Sequence, residues 1–142
     1  MNVLLLSMPD SFEHMAPVAI RMPNGALASL AGNVDPHHHV AVADLILAQK
    51  DVGGTVDRLV RDHQPDVVGL SVMTFQRPTA FKVIERVRAQ RPDVRVVVGG
   101  YDPSLAPLAY APCGEVDFIL RGEGEQTLCE LLRVLEADAT VH

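Results

Sequence analysis

Three short stretches place small or hydroxylic residues where a ligand can be held: Ser71-Val72-Met73-Thr74, Gly99-Gly100 and Gly122-Glu123-Gly124. Each follows an apolar run: Asp66–Ser71, Val94–Val98 and Val116–Leu120. A serine at a strand end offers one hydrogen bond deep in a cleft. Paired glycines, lacking Cβ, let a flat ligand or its tail press against the backbone. The Gly122–Gly124 stretch opens a helix, so its backbone N–H groups are unsatisfied donors, while Glu123 and Glu125 also suit the positive end of the helix dipole. Together the three stretches suit a bulky ligand with a slender buried arm.

The other reactive side chains read as structural. His37-His38-His39 is expected to be a surface turn. Consecutive histidines in extended chain point to alternate sides, so at most two share an ion, and no acidic or thiol partner is expected nearby in sequence. His63 suits a helix end. Cys113 and Cys129 are too few for a disulfide framework, lack metal-ligand spacing and read as reduced, small apolar residues. Asp66 and Asp93, each beside a proline, read as turn residues at the opposite edge of the sheet.

The elements that must position these residues follow from hydrophobic periodicity. Met1–Ser7 is a continuous apolar run, expected of a central strand covered on both faces. Met8–Asn24 contains Pro9, Pro17 and Pro23 and no clean period; a loop of this length at a strand's carboxyl end is expected to be functional and to order on binding. A first helix starts near Gly25, carrying Leu27, Leu30, Ala31 and Val34, and stops at Gly32-Asn33. A second strand spans Val40–Asp44, and a second helix Thr55–His63 ends before Pro65. After the Asp66–Ser71 strand, Thr79–Gln90 places Ala80, Val83, Ile84 and Val87 on one stripe, with Lys82, Glu85, Arg86 and Arg88 turned mostly to water. The prolines of Tyr101–Gly114 allow only a short helix, Ser104–Tyr110. A last helix carries Leu128, Leu131, Leu132 and Leu135, and Ala137–His142 shows no signal.

Strands alternating with helical segments predict an α/β, flavodoxin-like (Rossmann-like) open five-stranded parallel sheet with helices on both faces. The strand order 2-1-3-4-5 puts the ligand-binding switch point between the first and third strands. At 142 residues the chain is expected to be one domain over 1–136, with 137–142 a tail or the start of a linker. Its formal charge of −6, without a basic cluster, argues against nucleic acid. The first apolar run is too short for a membrane span and lacks the basic flank of a signal peptide, so a cytoplasmic protein is expected.

The loops then decide among ligands, since this fold serves many functions. The first strand is followed by Met8-Pro9-Asp10-Ser11 and not by Gly-x-Gly-x-x-Gly, and a P-loop is missing. A phosphoacceptor domain would place an aspartate and a lysine where Ser71 and Arg121 stand. The sequence resembles the cobalamin-binding domain at the N-terminus of radical S-adenosylmethionine enzymes over nearly its whole length. The resemblance is carried by Leu4–Pro9, Pro23-x-Gly25 with Leu27 and Leu30, the Asp44 strand end, Gly69–Thr74, Val97–Gly100, Val116–Phe118, and Arg121–Glu125 with Leu128 and Leu131-Leu132.

That resemblance implies a cofactor site residue by residue. Ser71, Val72 and Met73 match the Ser-x-Leu position, with Met for Leu, and would line the channel of the nucleotide tail. Gly99 and Gly100, followed by Tyr101, match the Gly-Gly that lets the tail pass. Met8, Pro9 and Thr74 would approach the corrin, and Gly122, Glu123 and Gly124 would close the rim. No catalytic or metal-ligating residue is expected. Cobalamin domains of the mutase type carry Asp-x-His-x-x-Gly; here Asp10 and His14 are four apart and no glycine stands three after His14. The resemblance therefore implies base-off cobalamin without a histidine ligand, His14 being the candidate exception. It further implies a radical S-adenosylmethionine catalytic domain acting in methyl transfer or another radical rearrangement. That domain, not this chain, would hold S-adenosylmethionine and the [4Fe-4S] cluster, because the Cys-x-x-x-Cys-x-x-Cys segment is missing here. The chain is accordingly expected to be a cofactor-holding part of a larger enzyme, able to dimerise in isolation through its exposed edge. The competing readings are a regulatory or protein-interaction module without cofactor, and a flavin enzyme.

Overall fold

The computed structural model describes residues 1–9, 12, 25–48 and 50–141. The Asp10–Asn24 expectations, His14 included, lie outside the described residues apart from Phe12.

Five parallel strands form one sheet in the order β2-β1-β3-β4-β5: β1 Asn2–Ser7, β2 His39–Asp44, β3 Val67–Ser71, β4 Arg95–Gly99 and β5 Phe118–Ile119. The helices are α1 Gly25–Asn33, α2 Val52–His63, α3 Arg77–Gln90, the short α4 Tyr101–Leu105, and α5 Glu125–Val141. Strand alternation sorts the core into two layers. Leu4, Leu6, Val68, Leu70, Val96 and Val98 face α2 and α3, whereas Val3, Leu5, Val67 and Val97 face α1 and α5. β1 is buried on both sides, which accounts for its unbroken apolar sequence.

Several boundaries differ from expectation for local reasons. α2 starts at Val52, three residues early, because the Asp51 carboxylate caps it by accepting from Gly54 N at 2.9 Å. The predicted Val116–Leu120 strand is reduced to two residues. There the Asp117 carboxylate, rather than a strand carbonyl, accepts from Val96 N at 2.7 Å. The short helix begins at Tyr101, not Ser104, and is followed by a 3-10 turn over Pro107–Tyr110. Arg88 is turned only partly to water, its side chain 19% exposed: it donates to the carbonyls of Val94 and Glu115, both at 2.5 Å, and pairs with Asp117. α5 continues through Ala137 to Val141, where no element was expected.

Candidate functional site

The strand register builds a groove at the carboxyl edge of the sheet. On the face towards α1 and α5, Leu5, Gly69 and Val97 form one row, and Ser7, Ser71 and Gly99 form the next. Side chains therefore shrink towards the edge while the helices keep their distance. At Gly69 a Cβ would stand 2.8 Å from Leu5 Cδ2, so the leucine leans over the glycine and occupies its place. The result is a groove of about 250 Å³, walled by Ala26, Leu27 and Leu30 of α1 and by Leu128 of α5. Ser29 Oγ donates to Glu125 Oε1 at 3.1 Å, tying the two helices beside it.

Six of the twelve site residues expected from sequence meet in this groove: Ser71, Gly99, Gly100, Gly122, Glu123 and Gly124. Gly100 has φ +100°, and a Cβ there would lie 3.0 Å from Val72 N and 3.1 Å from Ser71 Oγ. Only glycine brings the backbone against Ser71 in this way. Gly122, also at positive φ, donates its N–H to Ser104 Oγ at 2.9 Å, which pins the rim to α4.

The other six lie around the groove or behind it. Met73, Thr74 and Tyr101 are exposed above the sheet edge, Met73 at 50% and Tyr101 at 64%. Phe75 and Leu105 are exposed apolar side chains as well. Met8 and Val72 are buried in the layer under α2 and α3, so their side chains do not reach the groove. Pro9 is buried as well. Met8 contributes its carbonyl, which accepts from Gln76 Nε2 at 3.1 Å, and Val72 its carbonyl, which accepts from Asp102 N at 3.0 Å.

A polar network that sequence reasoning missed joins these loops. The buried Gln76 side chain donates to Met8 and accepts from Met73 N at 3.1 Å, linking the loop after β1 to the loop after β3. Arg77 meets Asp102 through two parallel bonds of 2.8 and 2.6 Å, and Tyr110 Oη donates to the same carboxylate at 2.6 Å. Asp102 is 1% exposed. The Arg77 guanidinium, above all, holds the Asp102 carboxyl below its usual range against the opposing effect of burial. Burial, then Asp102, raises the Tyr110 phenol, which stays protonated and donating. These partners stand 25 and 8 residues apart, and no periodicity or motif announces them.

A sheet whose carboxyl edge opens at a β1/β3 switch point into a small-residue groove is common to many cofactor proteins, and the pattern of residues selects among them. The sequence pattern of the B12 binding domain matches residues 15–132. The chain belongs to the B12 binding domain family. An uncharacterized methyltransferase of Pyrococcus horikoshii, PH0819, is 30% identical over 136 residues, covering 95% of this chain and 29% of that protein. The radical S-adenosylmethionine methyltransferase TsrM from Kitasatospora setae, solved with cobalamin and a [4Fe-4S] cluster bound, superposes with a TM-score of 0.77 at 24% identity over 96% of this chain. The cobalamin-dependent radical enzyme OxsB, with aqua-cobalamin and S-adenosylmethionine bound, superposes with a TM-score of 0.74 at 22% identity over 95%. This chain spans 25% of the TsrM chain and 18% of the OxsB chain. It is a B12-binding domain with the flavodoxin-like fold, similar to those of cobalamin-dependent radical S-adenosylmethionine enzymes.

The expected absence of a histidine triplet from the interior needs correction. His37 and His39 are exposed, but His38 is 6% exposed and turned inward. Asp35, overlooked as an acidic neighbour, lies beside the two rings of His37 and His38. Cys113 and Cys129 are free thiols. Among the described residues, no helix is long and apolar enough to cross a membrane.

Proposed function

We propose that this chain is the cofactor-holding part of a larger radical S-adenosylmethionine enzyme acting in methyl transfer. In this reading the groove under α1 and α5 takes the nucleotide tail of cobalamin, and the exposed edge faces the corrin. The observation that carries the reading is the convergence of Ser71, Gly99, Gly100 and Gly122–Gly124 on one groove with a floor of small residues. A slender tail fits there, since Gly99 leaves its floor open: a Cβ at Gly99 would meet only Leu120, at 3.7 Å.

When bound, cobalamin supplies a cobalt that accepts and delivers a methyl group. The chain's own residues hold and orient. Ser71 offers its hydroxyl to the tail, Gly99 and Gly100 let it pass along the backbone, and Gly122–Gly124 close the rim. Met73, Thr74 and Tyr101 border the corrin, while Met8, Pro9 and Val72 set the loops from behind. Gln76 and the Arg77–Asp102–Tyr110 cluster keep the three loops in mutual register without touching the ligand. The apolar side chains of Met73, Phe75 and Tyr101 exclude water once a catalytic domain covers them. That domain, the bearer of S-adenosylmethionine and the [4Fe-4S] cluster, is proposed to belong to the same full-length chain, joined after α5.

The cofactor is proposed to bind base-off, without a histidine below cobalt. Electron paramagnetic resonance of the bound cobalt(II) form tests this. The expected spectrum lacks nitrogen superhyperfine splitting. A nitrogen triplet that disappears in His14→Ala would overturn the histidine-free assignment while leaving cobalamin binding intact.

A further inference from the structure

We propose that His37, His38 and Glu136 form a binding site for a divalent transition-metal ion of the zinc type, at the end of the sheet opposite the cofactor groove. The turn Asp35–His38 leads into the amino end of β2, and it packs on α5 through Cys129, Arg133 and Glu136. These three lie at i, i+4 and i+7, one helical stripe. Glu136 places its carboxylate against both rings: His37 Nε2 is 3.0 and 2.9 Å from its two oxygens, and His38 Nε2 is 3.9 Å from Oε2. The rings lie 4.0 Å apart between centroids.

The second observation is the state of His38. Its side chain is fully buried, and among the described residues Nε2 has no hydrogen-bond partner. A buried, unpaired imidazole nitrogen is costly and uncommon. Its direction, towards the carboxylate that His37 already faces, gives it a use. Metal–ligand distances of about 2.0–2.1 Å in tetrahedral geometry separate neighbouring donor atoms by roughly 3.3 Å. The 2.9 and 3.9 Å separations about Glu136 Oε2 bracket that value, so small rotamer changes would close a His-His-Glu set. Two imidazoles favour zinc, nickel or copper over calcium and magnesium, which require oxygen donors.

The surroundings suit such an ion. Asp35 offers an oxygen within 4.8 Å of ligand atoms on both histidines. It is held by Arg133 at 2.9 and 3.0 Å, with Cys129 Sγ at 3.7 Å from Oδ1. It therefore serves as an outer carboxylate, leaving a fourth position for water. The Met1 amino nitrogen lies 3.0 Å from His38 Nδ1. That contact occupies Nδ1 and leaves Nε2 as the ring nitrogen to meet an ion. Such an ion would staple β2 to α5.

The test is a titration of the tag-free chain with Zn²⁺ against a chromogenic chelator, repeated with Co²⁺ to read its visible d–d bands. The expected result is one saturable site, weakened at least tenfold in His37→Ala and in Glu136→Gln and unchanged in His39→Ala. His39 is the exposed neighbour outside the cluster. His38→Gln alters a buried position, so the exposed His37 and the half-exposed Glu136 carry the test, with circular dichroism confirming that each variant is folded. Absence of saturable binding, or equal loss in His39→Ala, would overturn the proposal. Neither outcome bears on the cobalamin groove.

Discussion

Replacing Gly99 by leucine should close the groove to a nucleotide tail while leaving the fold intact. Gly99 lies on the α1/α5 face at the last row of the sheet, and a Cβ there meets Leu120 at an ordinary 3.7 Å. The backbone is therefore compatible with a side chain. Four added carbons, each claiming roughly the 30 Å³ that a water occupies, remove about half of the 250 Å³ groove. If the tail buries on the order of 100 Å² of apolar surface at about 25 cal/mol per Å², its exclusion costs about 2.5 kcal/mol. That is nearly two orders of magnitude in Kd. Visible-absorbance titration with cobalamin and with cobinamide, which has the corrin but no nucleotide tail, separates the two contacts. Gly99→Leu should bind cobinamide as the unaltered chain does and cobalamin about 70-fold more weakly. Unchanged cobalamin affinity in a folded variant would refute the placement of the tail.

Further expectations concern the loops around the site. Arg77→Met leaves Asp102 charged and 1% exposed. Breaking such a pair costs about 3 kcal/mol or more, a fall in melting temperature on the order of 10 °C. Because Asp102 is held below the ordinary carboxylate range chiefly by Arg77, the stability it contributes is complete above about pH 3.9. It is lost as pH falls towards the depressed value. Melting curves of the two proteins should therefore differ at pH 7 and converge in acid; a constant gap would contradict the assignment. Gly100→Ala forces a Cβ at φ +100° against Val72 N and Ser71 Oγ. It should lose about 1–2 kcal/mol or more in urea unfolding, unlike the tolerated change at Gly99. Asp51→Ala removes the cap of α2 and should cost about 1 kcal/mol by the same measurement, without effect on cobalamin affinity.

The strand order and both helical layers were legible because this parallel sheet advertises itself. β1 and β3 are unbroken apolar runs, and α3 carries its stripe at regular spacing. The groove was legible for a related reason: Ser71, Gly99 and Gly122–Gly124 each stand where a strand ends. Local signals failed where a partner lies far along the chain. Asp102 gives no hint that it pairs with Arg77, nor Gln76 that it bridges Met8 and Met73. Asp51 capping set the start of α2 at Val52, ahead of the expected Thr55. The alternation that pointed consecutive histidines to opposite sides was right, but it also turned His38 inward onto α5, whose Glu136 is 98 residues away in sequence. Met8 shows the reverse limit: its position after β1 was read correctly, but its side chain packs into the opposite layer.

The most direct test is titration of the purified protein with hydroxocobalamin, followed by gel filtration and visible absorbance. Co-elution at one cofactor per chain, with a base-off spectrum, is the predicted result. Failure of the full-length protein to retain any cobalamin would contradict the account.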